Sequence, residues 1–293
     1  MMECRRVPFL TFVASPYKKA KLNLAGCNFD CKGCFALAKQ EIGRTLSVEE
    51  LVNLLIRSCH LIYGNLVSDV QMTGGEPTTN PSYLLCLISK LKEEGVNKIG
   101  ISTNGYLMDK NLVKELSSLH VDYIKLDIKA YTDKTHRWYT GKANAKVLRA
   151  VELLTEHGLN FYVRTICIPG IVDLDEIERI AKFLSRIDRS IPYKIYQFAP
   201  EHTKNKSLRK SPTKEQMLRA SIIAKGYLDN AEAYTTETVY EPDSKYIEVR
   251  ADELVNDFKR IDEISKLIIK TWDMQYLTMN QILSSQLTGQ ESY

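Results

Sequence analysis

Short apolar runs alternate with amphipathic stretches along residues 20–228. The apolar runs have the length of buried strands, and the stretches between them repeat apolar residues at helical spacing. We predict six strands, at residues 20–24, 68–72, 98–102, 123–128, 160–167 and 193–198. Each strand is followed by a stretch with helical periodicity, which indicates six successive strand–helix units.

The helical stretches carry their own start and stop signals. Ser47-Val-Glu-Glu50 is a capping box, which opens a helix. Gly95 and Gly158 stand where glycine is favoured, just past the end of a helix. The other predicted helices cover residues 81–94, 112–119, 144–157, 174–187 and 213–228.

Strand–helix units in succession predict parallel strands joined by right-handed crossovers, which define an α/β fold. A closed barrel of eight units needs about 250 residues, whereas the six units here end near residue 228. We therefore predict a partial (β/α)6 barrel of the TIM type in residues 1–230. Residues 231–293 are predicted to be a C-terminal extension packing on the barrel, with strands at 233–240 and 246–250, a turn at 241–244 and a helix opened by Asp252.

Composition and charge exclude several classes of protein. Of the 293 residues, 44% are hydrophobic and 26% are charged, as in an ordinary globular protein. No run approaches the roughly 18 apolar residues of a membrane-spanning helix, so we expect no membrane partner. The formal charge of +4 is too small to indicate a nucleic-acid partner by itself. Charge interrupts the apolar run in residues 1–13, so we predict no export signal and a cytoplasmic, reduced protein.

Three cysteines are the most informative chemical feature. Cys27, Cys31 and Cys34 have the spacing Cys-x3-Cys-x2-Cys, which suits a short loop around three corners of a cubane iron–sulfur cluster. Three ligands leave one iron open to bind a further molecule. Disulfides are disfavoured because the seven cysteines are an odd number. Zinc is an open alternative, although structural zinc normally takes four ligands and the next candidates, Cys59 and His60, lie on a predicted helix.

Further candidate residues lie at the ends of the predicted strands, where α/β folds bind their ligands. Gly74 and Gly75 allow the backbone to approach a ligand closely, and Glu76 can accept a hydrogen bond from a ligand ammonium. A second turn, Ser102-Thr-Asn-Gly105, follows the third strand. A plain turn is the alternative for both segments.

Charged residues follow the later strands. Asp127 and Lys129 share one face of a strand, and an inward acid–base pair is costly unless it is paired or liganded. A structural salt bridge and a ligand-binding pair both stay open for them. Arg164 is either a carboxylate clamp or an ion-pair partner of Asp127, and His202 is either a ligand contact or an ordinary surface or core residue.

In their order along the chain, these motifs resemble the radical S-adenosylmethionine (SAM) superfamily. Within it the chain is most similar to the pyruvate formate-lyase activating enzyme branch, the glycyl-radical-enzyme activases. The resemblance runs from about Lys21 to His202 and includes Leu126-Asp-Ile-Lys129, Ile168-Pro-Gly170 and Pro200-Glu-His202. The cysteine triad and Gly-Gly-Glu-Pro are highly specific for the superfamily, and the later motifs are less specific for the branch.

The resemblance implies that Cys27, Cys31 and Cys34 hold a [4Fe–4S] cluster whose open iron chelates the amino and carboxylate groups of SAM. It implies that the methionine ammonium is received by Gly74, Gly75 and Glu76. The other implied SAM contacts are Ser102, Thr103, Asn104, Asp127, Lys129, Arg164 and His202. One electron then splits the sulfonium and gives a 5′-deoxyadenosyl radical, which removes hydrogen from an unactivated carbon. Ferredoxin or flavodoxin is the implied electron donor.

Two positions depart from the family pattern. Gly33 stands where the superfamily usually has an aromatic residue near adenine, and Phe35 is the candidate substitute. Ser102 stands where the activases tend to have Asp beside a cation, so we expect that cation site to be weak or absent. The remaining cysteines, Cys4, Cys59, Cys86 and Cys167, are predicted to be structural, with Cys59 and Cys86 on apolar helix faces.

The leading prediction is therefore a radical SAM oxidoreductase that generates a glycyl radical on a protein partner. One alternative keeps the same chemistry but directs it at RNA or a small metabolite. An alternative of another class is a non-enzymatic iron–sulfur or zinc protein. An assay for 5′-deoxyadenosine distinguishes the two enzymatic hypotheses from the non-enzymatic one.

Overall fold

The computed structural model describes residues 3–203, 205, 207–238, 245–254, 257–259, 262 and 273–285. The chain divides into two compact units. The first comprises Met1–Cys27, Ala36–Ile101 and Pro242–Tyr293, and the second comprises Asn28–Phe35 and Ser102–Glu241. The predicted division into residues 1–230 and 231–293 stays a prediction.

The described strands are β1 (Cys4–Val7), β2 (Phe9–Ser15), β3 (Lys19–Leu24), β4 (Arg44–Ser47), β5 (Asp69–Gly74), β6 (Lys98–Thr103), β7 (Tyr123–Asp127), β8 (Phe161–Cys167), β9 (Tyr193–Gln197), β10 (Ala231–Tyr234), β11 (Lys245–Arg250) and β12 (Asp273–Thr278). The described α-helices are α1 (Val48–Tyr63), α2 (Pro81–Glu93), α3 (Lys110–Ser118), α4 (Asp133–Thr140), α5 (Ala145–Glu156), α6 (Leu174–Ile187), α7 (Lys214–Lys225) and α8 (Met279–Ser284). No described helix is long and apolar enough to cross a membrane.

The first unit has a mixed sheet in which β3 pairs in parallel with β5, and β5 with β6. On the other side of β3, β2 runs antiparallel to both β3 and β11, and β11 is parallel to β12. Strands β1 and β4 form a separate antiparallel pair. The side chains of Leu10, Phe12 and Leu22 are fully buried, because β2 and β3 lie inside this sheet. The predicted capping box is confirmed, since Glu50 N–H donates to Ser47 Oγ and Ser47 N–H donates to the Glu50 carboxylate.

The second unit has a parallel sheet in which β7, β8, β9 and β10 are consecutive neighbours. Burial alternates along β8 from Phe161 to Cys167, as expected when one face packs and the other is open. Leu126, Val163 and Ile195 on the packed face are fully buried. Asp127 is in register with Arg164, so the two side chains lie side by side on the open face.

The six predicted strands and six predicted helices are all present, with ends displaced by a few residues. An α/β fold with parallel strands is therefore confirmed. The predicted helix opened by Asp252 begins differently, because Asp252–Leu254 is a single 3-10 turn. Most of the rest of that helix, and the predicted turn at 241–244, lie outside the described residues.

Sequence patterns did not predict β1, β2, β4, α4, β12 or α8. Strand β4 ends where helix α1 begins, and the capping box at Ser47 indicates only the helix. Helix α4 is short, and its sequence Asp-Lys-Thr-His-Arg-Trp-Tyr-Thr lacks a repeating aliphatic stripe. The two most consequential omissions are β1 and α4, because both contact the predicted site residues.

Candidate functional site

The predicted site residues are distributed over both units. Cys27, Gly74, Gly75 and Glu76 belong to the first unit. The second unit contains Cys31, Cys34, Ser102, Thr103, Asn104, Asp127, Lys129, Arg164 and His202. In each unit the residues occupy strand ends and the turns that follow them.

In the first unit, the turn after β5 is bonded to the chain that leads into Cys27. The Gly75 N–H donates to Leu24 O over 2.8 Å, and the Glu76 N–H donates to Gly26 O over 2.7 Å. The backbone of residues 74–76 therefore packs directly against the backbone of residues 24–26.

This close approach explains why both positions are glycine. Gly74 has φ +112°, and a Cβ atom there would lie 2.5 Å from the Leu24 backbone nitrogen. A Cβ on Gly75 would lie 2.0 Å from Gly26 O. No side chain fits at either position without moving backbone, so the two glycines fix the turn against the segment before Cys27.

Arg5 on β1 holds the same two segments together. Its buried guanidinium donates to the carbonyl oxygens of Ala25, Glu76 and Pro77 at 2.9, 2.6 and 2.6 Å. Burial lowers the pKa of Arg5, and nearby titratable side chains, Glu76 first and Cys27 among them, oppose that shift. No local motif marks Arg5 in the sequence, since its partners lie 20 and about 70 residues away.

Glu76 is 1% exposed and caps the 3-10 helix Pro77–Thr79. Its Oε1 accepts hydrogen bonds from the Thr78 N–H at 3.0 Å and the Thr78 hydroxyl at 2.7 Å. The predicted bond from a ligand ammonium to Glu76 stays a proposal.

In the second unit, the segment Asn28–Phe35, called the cysteine loop below, contacts the last turn of α4. The Asp30 N–H donates to Thr140 O over 2.8 Å and the Lys32 N–H donates to Tyr139 O over 3.0 Å. The Phe29 ring packs edge-on against His136 with centroids 5.5 Å apart. Two main-chain hydrogen bonds and one ring contact thus join the loop to a helix that sequence patterns did not predict.

Gly33 has a steric reason to lack a side chain. A Cβ atom there would lie 2.7 Å from the Tyr139 hydroxyl oxygen and 3.1 Å from Phe198 Cε2. Aromatic side chains from elsewhere in the unit therefore occupy the space beside Gly33. Phe35, the candidate substitute, is 58% exposed.

The turn after β6 also contacts the cysteine loop. Asn104 Nδ2 donates to Asn28 Oδ1 over 2.8 Å, while Asn104 Oδ1 accepts from the Tyr106 N–H. Thr103 Oγ1 accepts from the Gly105 N–H at 3.0 Å. Ser102, Thr103 and Asn104 are all buried. Their hydrogen bonds show that this segment forms a turn and also contacts the cysteine loop.

Asp127, Lys129 and Arg164 form an ion-pair cluster at the ends of β7 and β8. Lys129 Nζ lies 3.1 Å from one Asp127 oxygen, and Arg164 Nε lies 2.8 Å from the other. Burial by itself would raise the pKa of Asp127, but Arg164 and Lys129 outweigh it and hold that pKa below its ordinary 3.8. The alternative in which Arg164 pairs with Asp127 is therefore the observed one. All three side chains keep about a fifth of their surface exposed, so ligand contact stays compatible with the pairing.

The cysteines fall into distinct environments. Cys27, Cys31 and Cys34 have intermediate exposure. Burial raises the pKa of Cys59 and of Cys167 to about 12, which fits inert core residues. Cys4 and Cys86 are exposed, so the predicted apolar setting of Cys86 is wrong.

The thiols of the triad fit a metal cluster chemically. Arg5 interacts electrostatically with Cys27, and Lys129 with Cys31. A neighbouring cation favours the thiolate, which is the form that ligates iron. No three or more His, Cys, Asp or Glu side chains of the described chain are arranged to hold one metal ion.

Comparison with known proteins decides the family. The sequence model of the Radical SAM superfamily matches residues 24–184, more than half of the chain. The chain belongs to the radical SAM superfamily. The matched residues include the cysteine triad, the Gly-Gly-Glu-Pro turn and the Asp127 cluster.

Two curated relatives identify the branch. The chain is 38% identical over 217 residues to "Putative glycyl-radical enzyme activating enzyme MJ1632" of Methanocaldococcus jannaschii, covering 72% of this chain and 79% of the relative. It is 27% identical over 199 residues to the pyruvate formate-lyase-activating enzyme of Staphylococcus aureus, covering 66% of this chain and 79% of the relative. The predicted activase-like branch of radical SAM enzymes is therefore confirmed.

A solved structure supports the fold. Streptococcus suis SuiB, determined with its precursor peptide SuiA, matches with a TM-score of 0.60 and 14% identity, over 91% of this chain and 59% of SuiB. At that identity the likeness concerns the fold alone, and a partial barrel is consistent with it.

Radical SAM proteins bind a [4Fe–4S] cluster and SAM, so the cofactor prediction is confirmed for the family of this enzyme. The residues that hold these groups here stay a proposal. His202 ends the 3-10 helix Pro200–His202, and its side chain lies outside what the structure describes. Its predicted contact with SAM is therefore also a proposal.

Proposed function

We propose that this radical SAM enzyme cleaves SAM reductively and generates a glycyl radical on a partner protein. Cys27, Cys31 and Cys34 are the proposed ligands of its [4Fe–4S] cluster. When bound, the cluster supplies the electron that breaks the sulfonium C–S bond. The proposal depends most on one observation: the Gly-Gly-Glu turn is hydrogen-bonded to Gly26, the residue directly before the first cysteine.

That bond makes the turn and the first cysteine one structural element. Residues 74–76 would then receive the amino group of SAM beside the segment that carries Cys27. Arg5 strengthens this link, because its guanidinium donates both to Ala25 O before Cys27 and to Glu76 O in the turn. Such positioning would orient the amino group of SAM toward a cluster that is held by Cys27, Cys31 and Cys34 alone.

The second unit contributes the remaining proposed SAM contacts. These are Ser102, Thr103, Asn104, Asp127, Lys129, Arg164 and His202. The Asp127 cluster offers both signs of charge at the carboxyl ends of two strands. SAM carries an ammonium, a sulfonium and a carboxylate, so a site of mixed charge suits it.

Two lines support a protein partner. The names of both curated relatives describe enzymes that activate other enzymes. SuiB, which shares the fold, was solved with a peptide bound. We propose ferredoxin or flavodoxin as the electron donor.

Anaerobic reconstitution with iron and sulfide, followed by assay for 5′-deoxyadenosine, tests the chemistry. We expect product with wild type and none after Cys27→Ala, Cys31→Ala or Cys34→Ala. Cys86→Ala is the matched control, because Cys86 is an exposed thiol outside the triad. Near-normal product in any triad variant would show that the ligands are wrongly assigned.

The partner is tested by electron paramagnetic resonance. After incubation with SAM, reductant and a candidate glycyl-radical enzyme, we expect a glycyl signal on that partner. Deuterium transfer from labelled RNA or a labelled metabolite into 5′-deoxyadenosine, with no such signal, would contradict the activase function while leaving SAM cleavage intact.

A further inference from the structure

The open face of the parallel sheet in the second unit carries a row of charged side chains. In the register of the strands, Asp127 on β7 stands beside Arg164 on β8. Arg164 in turn stands beside Lys194 on β9, and Lys194 beside Glu232 on β10. Neighbouring strands are about 4.8 Å apart, and residues in register point to the same face. The row therefore leads from two of the proposed SAM contacts directly to Lys194.

Tyrosine rings enclose the side chain of Lys194 on this face. Its Nζ lies 4.9 Å from the ring centroid of Tyr162 and 5.6 Å from that of Tyr234. An ammonium over the face of a ring is attracted by the quadrupole of that ring. The two rings thus hold the ammonium of Lys194 in place, while its side chain stays partly exposed.

A pair of stacked rings lies one row nearer to the carboxyl ends of the strands. Tyr196 and Tyr234 are in register on β9 and β10, with ring centroids 5.2 Å apart and an interplanar angle of 16°. The Tyr234 hydroxyl donates to the Glu232 carboxylate, which orients the second ring. Both rings are partly exposed, so they offer a flat apolar surface beside Lys194.

The charge of the open face favours a ligand that carries a carboxylate. Four cationic side chains stand there against two anionic ones: Lys125, Lys129, Arg164 and Lys194 against Asp127 and Glu232. Arg164 and Lys129 pair with Asp127, whereas neutral rings hold the ammonium of Lys194. Glu232, at the end of the row, would repel an extended polyanion such as RNA. A polypeptide segment can instead place a single carboxylate at Lys194.

We propose that the open face of β8, β9 and β10 binds an acidic segment of the protein substrate. In this segment a carboxylate side chain pairs with Lys194, and the adjoining backbone packs on the rings of Tyr196 and Tyr234. The inference rests on the proposed function and deepens it, because it assigns the chemistry of the segment that the partner presents. The register of Lys194 with Arg164 places that segment beside the proposed SAM contacts.

Binding of synthetic peptides to the reconstituted enzyme, with SAM present, tests this inference. The probes are short fluorescent peptides with a central glycine, which carry either aspartates or asparagines at the same flanking positions. Fluorescence anisotropy should show about tenfold tighter binding of the aspartate peptide to wild type, because a hydrogen bond between charged groups is worth at least that much. Lys194→Gln should abolish the preference for aspartate, and Lys194→Arg should keep most of it.

Lys182→Gln is the matched control, because Lys182 on α6 also lies over a tyrosine ring, with its Nζ 5.8 Å from the centroid of Tyr227. It should leave both affinities unchanged. Tyr234→Leu removes a ring without removing a charge, so it should weaken binding of both peptides by a similar factor of about three.

Equal binding of the two peptides to wild type, or an unchanged preference in Lys194→Gln, would overturn the inference. So would tighter binding of a labelled oligouridylate, which would indicate RNA, or equally tight binding of N-acetylaspartate, which would indicate a small metabolite. Wild-type enzyme that forms no 5′-deoxyadenosine would instead contradict the proposed function, while the peptide affinities test the inference separately.

Discussion

The two segments that carry the cysteines are stabilised in different ways. In the first unit, the chain before Cys27 is held by main-chain hydrogen bonds to the Gly-Gly-Glu turn and by the buried Arg5 guanidinium. In the second unit, the cysteine loop rests on a helix end and on aromatic rings. Backbone-to-backbone packing tolerates no added atom, whereas ring packing can adjust. Substitutions in the first unit should therefore cost more than comparable ones in the second.

The largest effect is expected for Gly75→Ala. The new Cβ would lie 2.0 Å from Gly26 O, and the obstructing atoms are backbone. We predict a loss of about 3 kcal/mol in unfolding free energy and loss of SAM binding, measured by denaturant unfolding and by calorimetric titration. Gly226→Ala is the control, since a Cβ atom there would lie 3.2 Å from Ile223 O, and it should change stability by less than about 0.5 kcal/mol. Equal stability of the two variants would contradict the close approach at Gly75.

Arg5→Lys tests the guanidinium. Lysine keeps the charge but lacks the planar fork that reaches several carbonyl groups at once. Leaving buried acceptors without donors should cost about 2 kcal/mol. Arg6→Lys on the same strand is the matched control, because Arg6 is exposed and its guanidinium donates to Gly43 O. If both variants unfold at the same denaturant concentration, Arg5 does not stabilise the contact between the segment before Cys27 and the Gly-Gly-Glu turn.

Asp127→Asn tests the ion-pair cluster of the second unit. Its folded pKa is below 3.8, so the stabilisation from its charge is fully present above that value and disappears as pH falls through the folded pKa. At pH 7 the variant should be about 2 kcal/mol less stable, since two cations lose their shared partner. The difference should shrink below pH 4 in unfolding curves measured from pH 7 to pH 2.5. A difference that does not vary with pH would exclude the charge as its cause.

The smallest effect concerns the side-chain bond between Asn28 and Asn104. A double-mutant cycle with Asn28→Ala and Asn104→Ala should give a coupling energy of about 1 kcal/mol. Additive losses would show that the turn after β6 does not stabilise the cysteine loop.

The difference between local patterns and contacts of distant residues explains which features the sequence could predict. The strands and helices that were predicted have strong periodicity, and the chemical residues form recognisable motifs with short spacings. Arg5 and Tyr139 had neither property, because their partners lie far away in the chain. Their roles arise only when folding brings a buried strand or a helix end to a motif.

Gly33 illustrates the point from the opposite side. As a sequence feature it was a departure from the family pattern without a local explanation. The explanation is the Tyr139 hydroxyl and Phe198, which fill the space next to it. A rule based on neighbouring residues cannot supply that information, since both side chains lie more than 100 positions along the chain.

The most direct test of the central claim is Mössbauer spectroscopy of protein reconstituted with 57Fe, before and after addition of SAM. A cluster held by three thiolates has one distinct iron, so we predict that the signal of one iron in four changes when SAM binds. A spectrum that SAM leaves unaltered, or a preparation that retains zinc and no iron, would contradict the claim.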